Sequence, residues 1–398
     1  MTLSLKYNKY LIFVFVVLLS SYPYVFNRMG PFPDEKYVHL VFFLIALFIL
    51  FTIKQLQWLP KILTICCFIQ ILTWIFFSIY HNDLSYFTRI FYILFTYIIL
   101  LIIHNKQSIR TFISNNNKLI YYLSLFGFIT FFIILIFNVS PFFYIKNVDG
   151  RSIGCYILSC ASKVFSTRIP RMTGFFDEPG ALAYWGIYAL IFNRLFFNNK
   201  KFEIVLMISL LATLSLAYII QFMVYILLFY VTNIRKILPS VIILLIVLFA
   251  VYKTKDTNFD IYKATIGRLE FDHTKGTIKG DNRSLMAEDA KMFFKLNPIM
   301  GYGPNNIVAK GYTYVADNPY ENLAHDGILG TFMTYLPLLI VFYMGRHNKK
   351  YFFASIILLL GFLQRPFHIV ILYYLMLYSL LILTLNDLKI SSMISKKK

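Results

Sequence analysis

Charge is scarce in this sequence. Only 14% of its 398 residues are Asp, Glu, Lys or Arg, while 59% are hydrophobic. A soluble chain of this length would carry far more polar surface, which excludes two or three water-soluble domains. Acids are scarcer than bases: 18 Asp and Glu stand against 38 Lys and Arg, a formal charge of +20. Four cysteines exclude a disulfide-rich scaffold. Cys66 and Cys67 fall inside an apolar run and read as packing residues, whereas Cys155 and Cys160 lie in a polar stretch. An oxidising compartment would allow that second pair to form a disulfide. A glycine-rich phosphate loop, a His-Glu-x-x-His zinc motif and a Gly-x-Ser-x-Gly elbow are all missing. Neither a cofactor nor a metal site is implied.

What the chain has in abundance is apolar runs of about 15–20 residues, the length a helix needs to cross a bilayer. They predict an all-α fold, a polytopic membrane bundle of about twelve transmembrane helices near 10–27, 37–53, 62–80, 90–104, 119–138, 180–197, 204–217, 219–233, 238–253, 327–344, 351–366 and 368–385. The first run follows Lys6 and Lys9 as a signal peptide would, but no small-residue cleavage site comes after it. It reads as an uncleaved helix. The apolar stretch Ile204–Val231 is too long for one upright helix, and we divide it near Ala217. The whole is expected to form one integral membrane domain, 1–398, with two long polar loops at 139–179 and 254–326. Within the second loop, Met286, Ala290 and Phe293 recur at i, i+4 and i+7 and predict an amphipathic helix over 284–296.

Positive charge orients the bundle. Lys54 and Lys61, Lys200 and Lys201, Arg235 and Lys236, Lys349 and Lys350, and Lys396–Lys398 all fall on one side in the twelve-helix layout. That is the positive-inside pattern, with both ends cytoplasmic. Every Asp and Glu except Glu203 and Asp387 then lies on the opposite face. The basic residues beside helix ends meet anionic headgroups of membrane lipids. Nothing resembles a basic helix with interleaved aromatics, so nucleic acid is not an expected partner.

Polar residues that suit chemistry gather where loops enter helices. Arg168, Arg171, Asp177 and Glu178 converge within eleven residues just before a span, and Pro179 suits a first helical turn. Two arginines beside two carboxylates fit a phosphate-bearing lipid and a polar acceptor; the same residues also fit a helix cap with solvated arginines. Arg283 opens the amphipathic helix, where a purely structural role would favour an acid. Glu321 and His325 are four apart and share a face if their segment is helical, as an acid–base pair would. Arg365 closes the set at the edge of a span, where it can also simply snorkel.

Three motifs in this order resemble the Wzy-type polymerases of bacterial surface polysaccharides, within the O-antigen polymerase and ligase superfamily. They are Arg171-x-x-Gly174-x-x-x-Glu178-Pro179, Asn297-Pro-x-x-Gly301-x-Gly303 and Gly327-Ile-Leu-Gly330. With the topology they cover roughly residues 119–366. The resemblance implies a glycosyltransferase on the outer face of a bacterial cytoplasmic membrane, joining oligosaccharide repeat units carried on polyprenyl diphosphate by inverting transfer. Glu178 is then the first choice of general base and His325 the second, with Arg283 stabilising the leaving diphosphate. Arg168, Arg171, Asp177, Glu321 and Arg365 would bind substrate. A chain-length regulator and a flippase would be its protein partners. Ligases of the superfamily carry a His-Asn pair about ten residues before the Gly-x-x-Gly entry. Here that region reads Ala316-Asp317-Asn318, which favours polymerase over ligase. The alternatives are that ligase, with the same donor, and a polysaccharide flippase, a non-enzyme; transporters usually carry charges or broken helices at midplane.

Overall fold

The computed structural model describes residues 2–26, 35–53, 56–104, 108–146, 152–163, 169–230, 253, 262, 267, 270–273, 277–278, 284–311, 318–364 and 370–395. The expected span at 238–253 lies almost wholly outside the described residues. Helices dominate: α1 (Thr2–Leu19), α2 (Glu35–Thr52), α3 (Lys61–His81), α4 (Tyr86–Ile103), α5 (Ser108–Phe137), α6 (Pro179–Phe192), α7 (Lys200–Ser209), α8 (Leu216–Tyr230), α9 (Ser284–Leu296), α10 (Pro304–Ala309), α11 (Glu321–Gly345), α12 (Lys349–Gln364) and α13 (Ile371–Ser395). Among the described residues, six helices are long and apolar enough to cross a membrane: Lys61–His81, Tyr86–Ile103, Ile109–Phe137, Pro179–Phe197, Glu321–Gly345 and Ile371–Leu388. Three shorter apolar helices accompany them. The chain is a helical membrane protein.

It divides into two compact units, Met1–Asn116 with Met286–Lys398, and Asn117–Leu285. In the first unit α3 carries Ile65, Phe68, Leu72, Phe76 and Ile79 exposed at helical spacing. Such a stripe suits lipid and would be a liability in water. By contrast α13 is buried on every side from Ile371 to Ile382, as a helix apolar all round must be. Its polar handle is Tyr378, whose hydroxyl donates to Gln70 Oε1 on α3 at 2.5 Å. Gln70 Nε2 in turn donates to the Met333 carbonyl on α11 at 2.7 Å. That carbonyl is open because Pro337, four residues on, has no N–H to offer it. A proline-broken helix is thus satisfied from a neighbouring span, which a bilayer requires.

The second unit departs from the all-α expectation. Residues 143–174 build a four-stranded antiparallel meander in the order β1 (Phe143–Lys146), β2 (Ser152–Cys155), β3 (Cys160–Lys163), β4 (Pro170–Gly174). A further short hairpin joins β5 (Phe271–Asp272) to β6 (Thr277–Ile278). The strands are only two to five residues long, too short for a period-of-two signal to stand out from a polar loop. Met172 on β4 packs with Ile134 of α5, Ala161 of β3 and Ala212, which seats the sheet on its helices. The long apolar stretch after α6 does break in two, slightly earlier than Ala217. A 3-10 turn, Leu210–Thr213, and Leu214 at φ 46° separate α7 from α8. The amphipathic helix appears over the expected range as α9, with Ala290 and Phe293 buried against Ile307 and Ala324.

Replacing Gln70 with leucine leaves the Met333 carbonyl and the Tyr378 hydroxyl without their partner. The expected loss is about 1–3 kcal/mol of stability, read as a lower melting midpoint of the detergent-purified protein. Adding Pro337→Ala, which returns an N–H to Met333, should recover part of it.

Candidate functional site

In the second unit the first motif becomes a strand, a turn and a helix. Arg171 lies on β4, opposite Ser162 of β3. Its Nε donates to the Thr213 carbonyl at 3.2 Å, so the guanidinium is tied to the turn between α7 and α8. Gly174 ends the strand at φ 62°, a left-handed conformation that glycine adopts without cost. The chain then closes a turn, with the Phe176 N–H donating to the Thr173 carbonyl, and enters α6. Glu178 is the N-cap residue and Pro179 the first residue of the helix, as its missing N–H allows.

The two acids at this entry are not solvated. Asp177 is 7% exposed and Glu178 6%. Glu178 caps α6 through its backbone, its carbonyl accepting from the Ala181 N–H, while its carboxylate accepts no capping hydrogen bond. A simple helix cap therefore does not account for this side chain. Burial of two carboxylates at the head of an apolar helix is costly and marks a functional candidate. The far end of α6 makes a useful contrast. There Glu203, fully buried, pairs with Arg194 at 3.4 Å and accepts from the Tyr225 hydroxyl, and Arg194 stacks over Tyr230. That acid joins three helical segments and is accounted for by structure.

In the first unit the second and third motifs pair with each other. The Tyr302 N–H donates to the Ala324 carbonyl at 2.8 Å and the Gly303 N–H to the His325 carbonyl at 2.9 Å. In return Ile328 donates to Pro298 at 2.9 Å and Leu329 to Ile299 at 3.1 Å. So close an approach leaves no room for a side chain at Gly301 or Gly327: a Cβ on either would meet the other segment's backbone. Both also have positive φ, 71° and 62°. Gly327 interrupts α11, whose helical entry starts earlier than expected, at Glu321.

Glu321 and His325 are accordingly helical and four apart, as the spacing expects. His325 Nδ1 is buried and accepts or donates no hydrogen bond, so that nitrogen is not joined to the Glu321 carboxylate. Next to it, Asp326 is fully buried and pairs with Arg89 of α4 at 2.5 Å. Tyr86 donates to the other Asp326 oxygen at 3.1 Å. The Arg89 guanidinium lies 4.6 Å from the Trp74 ring and 4.9 Å from the Tyr86 ring, beside two aromatic rings that stack on each other. The turn from α3 to α4 closes the arrangement: Asp83 accepts from the backbone and side-chain N–H groups of Asn305, and His81 Nε2 meets the Met300 carbonyl at 3.0 Å.

Sequence reasoning does not find Arg89 or Asp326. Beside a short polar turn Arg89 looks like any interfacial cation, although its place between Tyr86 and Ile90 at the head of an apolar run is the available signal. Arg168, Arg283 and Arg365 lie outside the described residues. No group of three or more His, Cys, Asp or Glu suited to a metal occurs among the described residues. Removing either Arg89 or Asp326 alone strands a buried charge and should cost about 3–5 kcal/mol. The double variant Arg89→Met with Asp326→Leu should recover most of that loss in thermal unfolding. No protein-family model, no curated protein and no solved structure matches this chain.

Proposed function

We propose that this membrane protein is a polysaccharide polymerase of the Wzy type, a glycosyltransferase that joins repeat units carried on polyprenyl diphosphate. The observation that carries the reading is the placement of Glu178: a buried carboxylate at the mouth of a span, with Arg171 on the strand leading to it. The acceptor sugar hydroxyl attacks the anomeric carbon of the donor, Glu178 takes the hydroxyl proton, and the bond to the diphosphate breaks. Direct displacement inverts the anomeric centre. Negative charge develops on the departing diphosphate, so cations aimed at it lower the barrier most. Arg171 fills that role with Arg168, Arg283 and Arg365, since guanidinium binds phosphate bidentately and never loses its charge. Asp177 and Glu321 hold sugar hydroxyls.

The finer topology belongs to the same proposal: twelve spans, both ends cytoplasmic, the loops 139–179 and 254–326 facing the periplasm or cell exterior. Two features support it. Arg171 and the α7–α8 turn meet, which puts the end of the first loop and that turn on one side. The α3–α4 turn likewise meets residues 300–306 at the end of the second loop. A reporter active only outside the cytoplasm should give signal when inserted near Lys279 and none after Lys398; the reverse at either site contradicts the layout.

Glu178→Gln keeps shape and hydrogen bonding but cannot take a proton. It should reduce glycan extension by about 10²–10⁴ at unchanged protein abundance, seen as a collapsed glycan ladder. Arg171→Ala should cost about 10²–10³, with Arg171→Lys rescuing only part. A full-length ladder from Glu178→Gln beside an inactive His325→Ala would transfer the base to His325.

A further inference from the structure

The β2–β3 hairpin carries a pair of cysteines that the polymerase chemistry does not use. Cys155 ends β2, Cys160 begins β3, and the two are direct cross-strand partners. The Tyr156 N–H donates to the Ser159 carbonyl at 2.9 Å, which makes Tyr156 and Ser159 the hydrogen-bonded pair that closes the hairpin. One step along the ladder, Cys155 and Cys160 occupy the alternate, non-hydrogen-bonded position. Facing Cα atoms there stand about 4.5 Å apart with side chains on the same face, inside the range of about 4.4–6.8 Å that a disulfide spans. Their sulfurs face each other at 2.7 Å, and both residues are buried, 3% and 0% exposed. Cys66 and Cys67, the other two, sit within α3 and have no such partner strand.

We infer that Cys155 and Cys160 form a structural disulfide that locks the β2–β3 hairpin. The inference rests on the proposal that loop 139–179 lies outside the cytoplasm, where thiols are oxidised. The oxidant is the disulfide of an extracytoplasmic thiol–disulfide exchange protein. As the loop emerges and before the hairpin packs, the Cys155 thiolate attacks that disulfide, forming a mixed disulfide and releasing one oxidant sulfur as a thiol. Cys160 then attacks Cys155 Sγ and releases the second sulfur. Two thiols of this chain lose two electrons and two protons, and the oxidant becomes a dithiol.

The bond would also serve the candidate site. β3 is the strand that pairs with β4, Cys160 itself lying opposite Gly174, and β4 carries Arg171 into the Glu178 entry. Locking the hairpin fixes the register of the strand that presents the arginine.

The test uses the full-length chain in membranes of the producing cells. Thiols are trapped by acid, the protein is denatured, and a maleimide polymer is added before or after reduction. With four cysteines in the chain, two tags before reduction and four after it support the disulfide. Cys155→Ser should take three tags under both conditions. A reporter active only outside the cytoplasm, inserted at 147–150 in a separate chain, reads the compartment. Four tags without reduction alongside an active reporter overturns the disulfide. Four tags alongside an inactive reporter overturns the location, and with it the oxidation step.

Discussion

A bilayer offers no water to a buried polar group, so each one must find its partner within the protein. The Arg89–Asp326 pair is where this constraint bears hardest, because two full charges are removed from solvent at the start of two apolar helices. Their attraction offsets the desolvation only in good geometry, with remaining donors and acceptors engaged. Tyr86 supplies one hydrogen bond, Trp74 and Tyr86 supply aromatic rings, and the helix kink at Gly327 brings Asp326 into register with α4. The Asn297–Gly303 segment, pairing with 324–329, holds that kink open. What reads in the sequence as two separate glycine motifs is one backbone crossing, needed so that a buried aspartate can meet a buried arginine.

The same constraint sorts the acids. Asp326 is matched by Arg89, Glu203 by Arg194 and Tyr225, and Asp83 by Asn305 and the Ser85 N–H. Each joins elements and is accounted for by the fold. Glu178, 6% exposed, stands at a helix entry, and its side chain does not cap that helix.

Hydropathy made the helices legible, since a run of about 15–20 apolar residues has few other uses. The start of α9 and the Pro179 entry to α6 were legible for local reasons, through helical spacing and the missing proline N–H. The four-stranded sheet was not, because strands of four or five residues leave too little alternation to detect. Nor was the Gln70–Met333 bond, which depends on Pro337 at the far end of the sequence freeing a carbonyl beside it. Arg89 and Asp326 are 237 residues apart, and a single sequence carries no trace of a pair at that separation. Of the candidate site, the residues beside loop–helix junctions were legible, and the buried pair that organises one such junction was not.

The central claim is that this protein forms a glycosidic bond by direct displacement of polyprenyl diphosphate. It is tested most directly with the purified full-length chain in lipid nanodiscs, supplied only with lipid-linked repeat units. Polymer length, released polyprenyl diphosphate and the anomeric configuration of the new linkage would be read on the same sample. The account predicts a ladder of products, one polyprenyl diphosphate released per linkage, and an anomeric configuration opposite to that of the donor. Retention of configuration, or intact repeat units with no diphosphate released, would contradict it.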